Sequence, residues 1–241
     1  MTEEIRKQLA PRGVLRVGLN YQNFLLVLKD APDGTPTGIA PDLARELAKR
    51  SGLAIEFVRF DAAGKLADAV KNGAWDVAFL GAEPQRASEI AFSGAYLEIP
   101  VTFLVPPGSS IKTLREIDAE GVRIAVSEKS AYDLYLSRSL KHARLVRVQG
   151  IEASFKLFLE QKLEALAGLK PRLVSDGDAL PGSRILEGQI TAVQQSIGVP
   201  KGRNEAAKYV REFADDIKAS GVVARAIEKH GVRGVSVAPA G

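Results

Sequence analysis

Arg86 is the residue with the clearest chemical prospect. It lies in GAWDVAFLGAEPQRASEIAFSGAY, residues 73–96, in a short polar turn directly after an apolar segment. Val77 to Leu80 reads as a strand covered on both faces, and Gly81 and Pro84 break it before the arginine. A guanidinium there presents a planar fork of donors that matches a carboxylate or phosphate. The spacing leaves a second outcome open, in which Arg86 pairs with Glu83 or Glu89 at the surface and contributes little.

Other chemistries find little support. There are no cysteines, which excludes disulfides, thiolate metal sites and a cysteine nucleophile. The two histidines, His142 and His230, make no cluster for zinc or a histidine-assisted nucleophile, and both read most simply as surface or terminal residues. GVPKGR at 198–203 lacks the Walker spacing and reads as a strand followed by a turn. No metal and no cofactor are expected. The net charge of +4 comes from 33 basic and 29 acidic residues spread along the chain, so no basic block points to nucleic acid. MTEEIRKQLAPRG has no apolar core of the signal-peptide kind, and no later segment approaches a membrane span. An exported protein would be present here without its leader.

The elements that must position Arg86 follow from periodicity. Thr2 caps a short helix over 3–10, and VLRVGL (14–19) alternates into a strand. An amphipathic helix follows at 41–51, then a strand at 54–58, a helix at 65–71 and a strand at 75–80. Strand and helix in alternation imply a parallel sheet with helical crossovers. After Pro100 the pattern restarts, with strands at 122–126, 145–148 and 164–168 and helices at 130–139 and 152–160. The closing segment, a strand at 194–199 and helices at 204–219 and 222–229, must pack on one of the two units. Segments near 98–102 and 187–192 are the natural crossings, and without Gly-Pro-rich linkers they read as extended hinge strands.

The order of elements and five local motifs resemble the amino-acid-type (family 3) extracellular solute-binding proteins of ABC transporters. The motifs are GVLRVGLN (13–20), GIAPDLARELAKRSG (38–52), the arginine segment (73–96), GVRIAVSEKSAYDLYL (121–136) and GVPKGRNEAAKYVREFADDIKASG (198–221). The resemblance implies an α/β fold of the type II periplasmic-binding kind. Each lobe would be a mainly parallel sheet flanked by helices. Lobe 1 would comprise 1–98 plus 195–241 and lobe 2 would comprise 102–190, with hinges at about 99–101 and 191–194. It also implies a small-molecule ligand held in the interlobe cleft, an ABC permease as partner, a monomer, and a periplasmic or otherwise extracytoplasmic location.

In that family the arginine in the position of Arg86 clamps the ligand's α-carboxylate, and the loop Asn20 to Phe24 lines the pocket. The implied ligand-binding set is Arg86, Asn20, Tyr21, Phe24, Gly81, Glu83, Ser130, Lys129, Leu169, Lys170 and Gln194. Tyr21 and Phe24 fit a core position equally well. Family members carry a Gly-Ser/Thr-Thr turn on the second lobe. Here Lys129, Ser130 and Ala131 match it, so the glycine is lost and Ser130 serves as either helix cap or ligand contact.

Three departures narrow the ligand. The aspartate that usually holds the ammonium is replaced by Leu169, with Lys170 beside it. The arginine loop is shortened, and Glu83 stands where Thr or Ser is usual. Ala63 and Gly64 occupy the region of an aromatic wall. These changes disfavour an unmodified α-amino acid, since a buried ammonium needs a counter-charge. They suit a small carboxylate with a second polar or anionic group read by Lys170 or by one of Gln194 and Gln195, which alternate to opposite faces. The expectation is a binding protein and not an enzyme. The alternative is a lyase like the cyclohexadienyl dehydratases, which act on prephenate or arogenate. That reading is weakened because the stretch 169–173 carries Lys and Arg but no acid.

Overall fold

The computed structural model describes residues 1–28 and 30–240. In chain order the first elements are α1 (Glu3–Leu9), β1 (Val14–Asn20), α2 (Ile39–Ser51), β2 (Ala54–Phe60), α3 (Ala63–Asp68), β3 (Val77–Gly81), β4 (Ile90–Phe92) and β5 (Leu97–Val105). There follow β6 (Arg123–Ser127), α4 (Ala131–Ser139), β7 (Arg144–Val148), α5 (Ile151–Glu160), β8 (Ala165–Leu169), α6 (Lys170–Asp178) and β9 (Arg184–Ile185). The chain closes with β10 (Thr191–Pro200), α7 (Asn204–Ala219), α8 (Val222–Lys229) and β11 (Ser236–Val237).

Local chemistry sets the boundaries. Thr2 Oγ1 accepts the Ile5 amide at the start of α1, and Gly52, left-handed at φ 60°, ends α2. Gly38 precedes α2 at φ 127°, and a Cβ there would come within 2.5 Å of the Leu26 carbonyl oxygen, so only glycine fits. α3 is shorter than its periodicity suggests and tightens into a single 3-10 turn over Ala69–Asn72. α6 has no counterpart in the sequence reading. Pro171 sits in its first turn, where the missing N–H costs nothing, and so starts a helix instead of breaking one.

The chain divides into two compact units, Met1–Glu98 with Gln194–Gly241, and Ile99–Val193. In the first, β2, β1 and β3 are parallel, with Val14 opposite Ala54 and Val17 opposite Val77. β10 adds antiparallel to β3, placing Gln195 opposite Gly81. One core layer gathers Leu66, Trp75, Ala78, Leu80 and Ile90, and the Trp75 indole donates to the Leu66 carbonyl at 2.8 Å. α2, α7 and α8 contribute further buried faces, including Leu43, Leu47, Val210 and Phe213, so the closing helices belong to this unit.

The first unit also contains a fully buried carboxylate. Asp76 accepts from Arg16 Nε and NH2, both at 2.9 Å, and from Arg203 NH1 at 3.0 Å. Arg203 also donates to the Gln8 carbonyl at 2.9 Å. Three segments far apart in sequence are thereby joined at one charge, and Arg203 ties α1 to it through Gln8. His230, expected as a surface or terminal residue, does stand at the end of α8, but its side chain is largely buried. Its side chain is 10% exposed, and Nε2 lies 2.8 Å from Asp42 Oδ2, linking the end of α8 to α2.

In the second unit β7, β6 and β8 are parallel, and β5 adds antiparallel to β8 with Val101 opposite Leu169. β9 pairs with the end of β5. Leu104, Ala125, Phe158, Leu163, Leu166 and Leu173 form its core. The chain passes from one unit to the other within β5 and back within β10, both continuous strands.

Candidate functional site

In each unit the parallel strands end at one edge, where loops and helix starts carry the polar side chains, as is usual for ligand sites of α/β sheets. In the first unit that edge holds the loops after β1 and β3. Every residue of β3 is buried. The chain then turns at Pro84 into a single 3-10 turn, Arg86–Ser88, whose first amide donates to the Glu83 carbonyl at 2.9 Å.

Arg86 is 7% exposed. Its NH1 donates to the Gly81 carbonyl at 2.7 Å, which fixes the guanidinium against the end of β3. Burial pulls its pKa down to about 10, against the opposing charges of Glu83 and Asp68. Arg86 is therefore not at the surface, although the charge of Glu83 does act on it. Glu89 is exposed and pairs instead with Lys71 at 3.5 Å, and Glu83 is the electrostatic neighbour of a buried cation.

The loop after β1 divides the residues expected there. Asn20 ends the strand and its Oδ1 accepts the Gln22 amide at 3.2 Å. Tyr21 is partly buried with its ring 4.1 Å from the Arg59 guanidinium, so its aromatic face is already occupied. Phe24, at 36% exposed, is not a core residue. Gln194 and Gln195 do alternate. Gln194 Nε2 donates to Glu98 at 2.9 Å, whereas Gln195 is buried in the strand position opposite Gly81.

In the second unit Ser130 is buried and caps α4, its Oγ accepting the Asp133 amide at 3.1 Å. Lys129 is exposed and takes the left-handed conformation at φ 55°, the backbone state that glycine adopts without cost. Its amide donates to Asp133 Oδ2 at 2.8 Å. Leu169 is buried at the N-cap of α6, and Lys170 is the half-buried first residue of that helix.

Four further residues stand at these edges: Tyr132 and Asp176 were not anticipated, while Asn23 was expected only as part of the loop Asn20 to Phe24 and Gln195 only as one of two alternating glutamines. Asn23 is 7% exposed, and its buried Oδ1 accepts no hydrogen bond among the described residues. Gln195, one of the two glutamines between which the sequence does not choose, is buried opposite Gly81. Tyr132 is buried, and burial pushes its phenol up to about 12 while contacts with the Ser130 and Ser127 hydroxyls pull it back. Asp176 pairs with Arg172 at 2.8 Å. Burial raises its pKa, and the Arg172 contact opposes the rise. The i,i+4 spacing of Arg172 and Asp176 was the available signal, but it has meaning only once α6 is known to be a helix.

The family described as bacterial extracellular solute-binding proteins, family 3, matches residues 15–233. The chain belongs to that family. Among solved structures, this family 3 protein is similar to the solute receptor for L-cysteine of Neisseria gonorrhoeae, at 21% identity and TM-score 0.79 over 97% of this chain and 96% of that one. It is also similar to a mutant of ArgBP from T. maritima, at 23% identity and TM-score 0.76 over 94% and 98%. A third is an ancestral amino acid-binding protein described as a precursor of cyclohexadienyl dehydratase, at 22% identity and TM-score 0.74 over 92% and 97%. At such identities the likeness shows the fold, which is the type II periplasmic-binding fold. No curated protein matches the chain. No helix of this family 3 protein is long and apolar enough to cross a membrane.

Proposed function

We propose that the protein captures a small carboxylate-bearing metabolite, an amino acid or an organic acid, and presents it to an ABC permease from an extracytoplasmic, periplasmic setting as a monomer. The observation that carries this reading is the buried, anchored guanidinium of Arg86. A cation removed from water is stabilised by an anion brought to its fork, and such a charge-assisted pair is stronger where water is excluded. Asn20, Tyr21, Phe24, Gly81 and Glu83 of the first unit, with Gln194, form the proposed surround of the carboxylate. Lys129, Ser130, Leu169 and Lys170 of the second unit are proposed to read the remainder of the ligand. Leu169 in place of an acid supports a ligand whose second group is polar or anionic and not an ammonium.

The alternative, a dehydratase-like lyase acting on prephenate or arogenate, needs a positioned proton donor. Asp176 is the buried acid of α6, but it is engaged by Arg172 at 2.8 Å, which favours the binding reading. A thermal-shift screen of amino acids, hydroxy acids, dicarboxylates and aromatic acids on the wild type and Arg86→Ala tests the proposal. Stabilisation of the wild type by a carboxylate, absent in Arg86→Ala, is expected. Equal stabilisation in the variant would remove the central claim, and turnover of prephenate or arogenate followed by aromatic absorbance would replace it with the enzyme.

A further inference from the structure

A groove on the second unit lies away from the strand ends that carry Ser130 and Lys170. It encloses about 720 Å³ and is lined by Lys112, Leu114, Arg115, Arg184, Ile185 and Glu187, with Thr113. A smaller hollow of about 300 Å³ adjoins it and shares Leu114 and Arg115. β5 gives the separation. Leu169, next to Lys170, lies opposite Val101, whereas Arg184 lies opposite Val105. At the usual rise of an extended strand this places the groove about 13 Å further along the sheet.

The lining combines two chemistries. Leu114 and Ile185 are half-buried apolar side chains. Around them stand Lys112, Arg115 and Arg184, opposed within the lining by Glu187 alone. Arg184 is held in place, its NH2 donating to the Ile111 carbonyl at 2.5 Å, and that bond leaves most of its fork of donors unspent. Arg115 is exposed on a single 3-10 turn, Leu114–Glu116. Among the described residues neither arginine forms an ion pair. Glu116 does not neutralise them either, since its carboxylate is turned back onto the Lys112 and Thr113 amides at 2.6 and 2.8 Å.

A concavity of this size is that of a small-molecule site. Two arginine forks beside an apolar floor suit an anion attached to a hydrocarbon group. We propose that the groove is a second ligand site, distinct from the Arg86 edge, for a small organic phosphate or carboxylate whose apolar part rests on Leu114 and Ile185.

Phenyl phosphate is the probe, with inorganic phosphate as the anion lacking an apolar part. Methyl NMR of Leu114 and Ile185 during titration should show saturable shifts with phenyl phosphate and weaker binding of inorganic phosphate. Arg115→Gln, an exposed change that leaves the fold intact, should weaken phenyl phosphate binding about tenfold. The double variant Arg115→Gln/Arg184→Gln should abolish it, and Arg86→Ala should leave it unchanged. Absence of shifts at these methyls, equal binding in Arg115→Gln, or loss of binding in Arg86→Ala would each overturn the proposal.

Discussion

The Arg86 guanidinium donates to the Gly81 carbonyl at 2.7 Å, so the last residue of β3 holds the cation that follows it in the chain. The strand end thus orients the fork, and the arginine's position depends on the carbonyl of a fully buried strand. Arg86→Lys should therefore weaken binding of any carboxylate found by the screen at least tenfold, because an ammonium cannot hold Gly81 and offer a bidentate face together. Isothermal titration of the variant checks this, and wild-type affinity would show that charge alone suffices.

Asp76 provides a separate test of the scaffold. Asp76→Ala leaves Arg16 and Arg203 beside an empty buried position, and removal of one partner from a buried ion cluster costs about 3–5 kcal/mol. Urea unfolding should show that loss, and a change under about 1 kcal/mol would mean the arginines relax to solvent.

Lys129 carries backbone cost that can be relieved. A left-handed non-glycine residue costs roughly 1–2 kcal/mol, partly offset by the greater chain entropy of glycine in the unfolded state. Lys129→Gly should raise stability by up to about 1 kcal/mol while α4 keeps its Ser130 cap. A lower melting temperature in the variant would count against the strain argument.

Acid should weaken the second unit through Asp118. The Ala143 and His142 amides, followed by that of Lys141, hold its pKa below the ordinary 3.8. Since the folded value lies under the unfolded one, this contribution is complete above the unfolded pKa and is lost as pH falls through the folded value. Stability measured from roughly pH 5 down to pH 2 should fall less steeply in Asp118→Asn than in the wild type. Identical slopes would exclude Asp118 from the acid response.

The alternation of strands and helices was legible because helices such as α2 bury one face at helical spacing, whereas central strands such as β3 and β8 are short apolar runs buried throughout. α7 and α8 match their expected limits of 204–219 and 222–229. α6 was not legible, because Pro171 and Gly177 read as breakers until the first turn is seen to begin at Lys170. Arg86 stood out by its place after an all-apolar strand. Asn23 gave no such sign, because its burial depends on the path of the loop after β1 and not on any periodicity. Gln195 was identified as one of two alternating neighbours, and only the pairing of β10 with β3 distinguishes it from Gln194.

The bond between Arg203 and Asp76 bears on the order in which the protein is made. Residues 99–193 form one unbroken stretch and can fold once they emerge from the ribosome. The unit that begins with Met1 has no such freedom. Its buried carboxylate lacks one of its two arginine partners until residue 203 has been synthesised, and α7 and α8 come later still. The half of the protein translated first is therefore the half completed last.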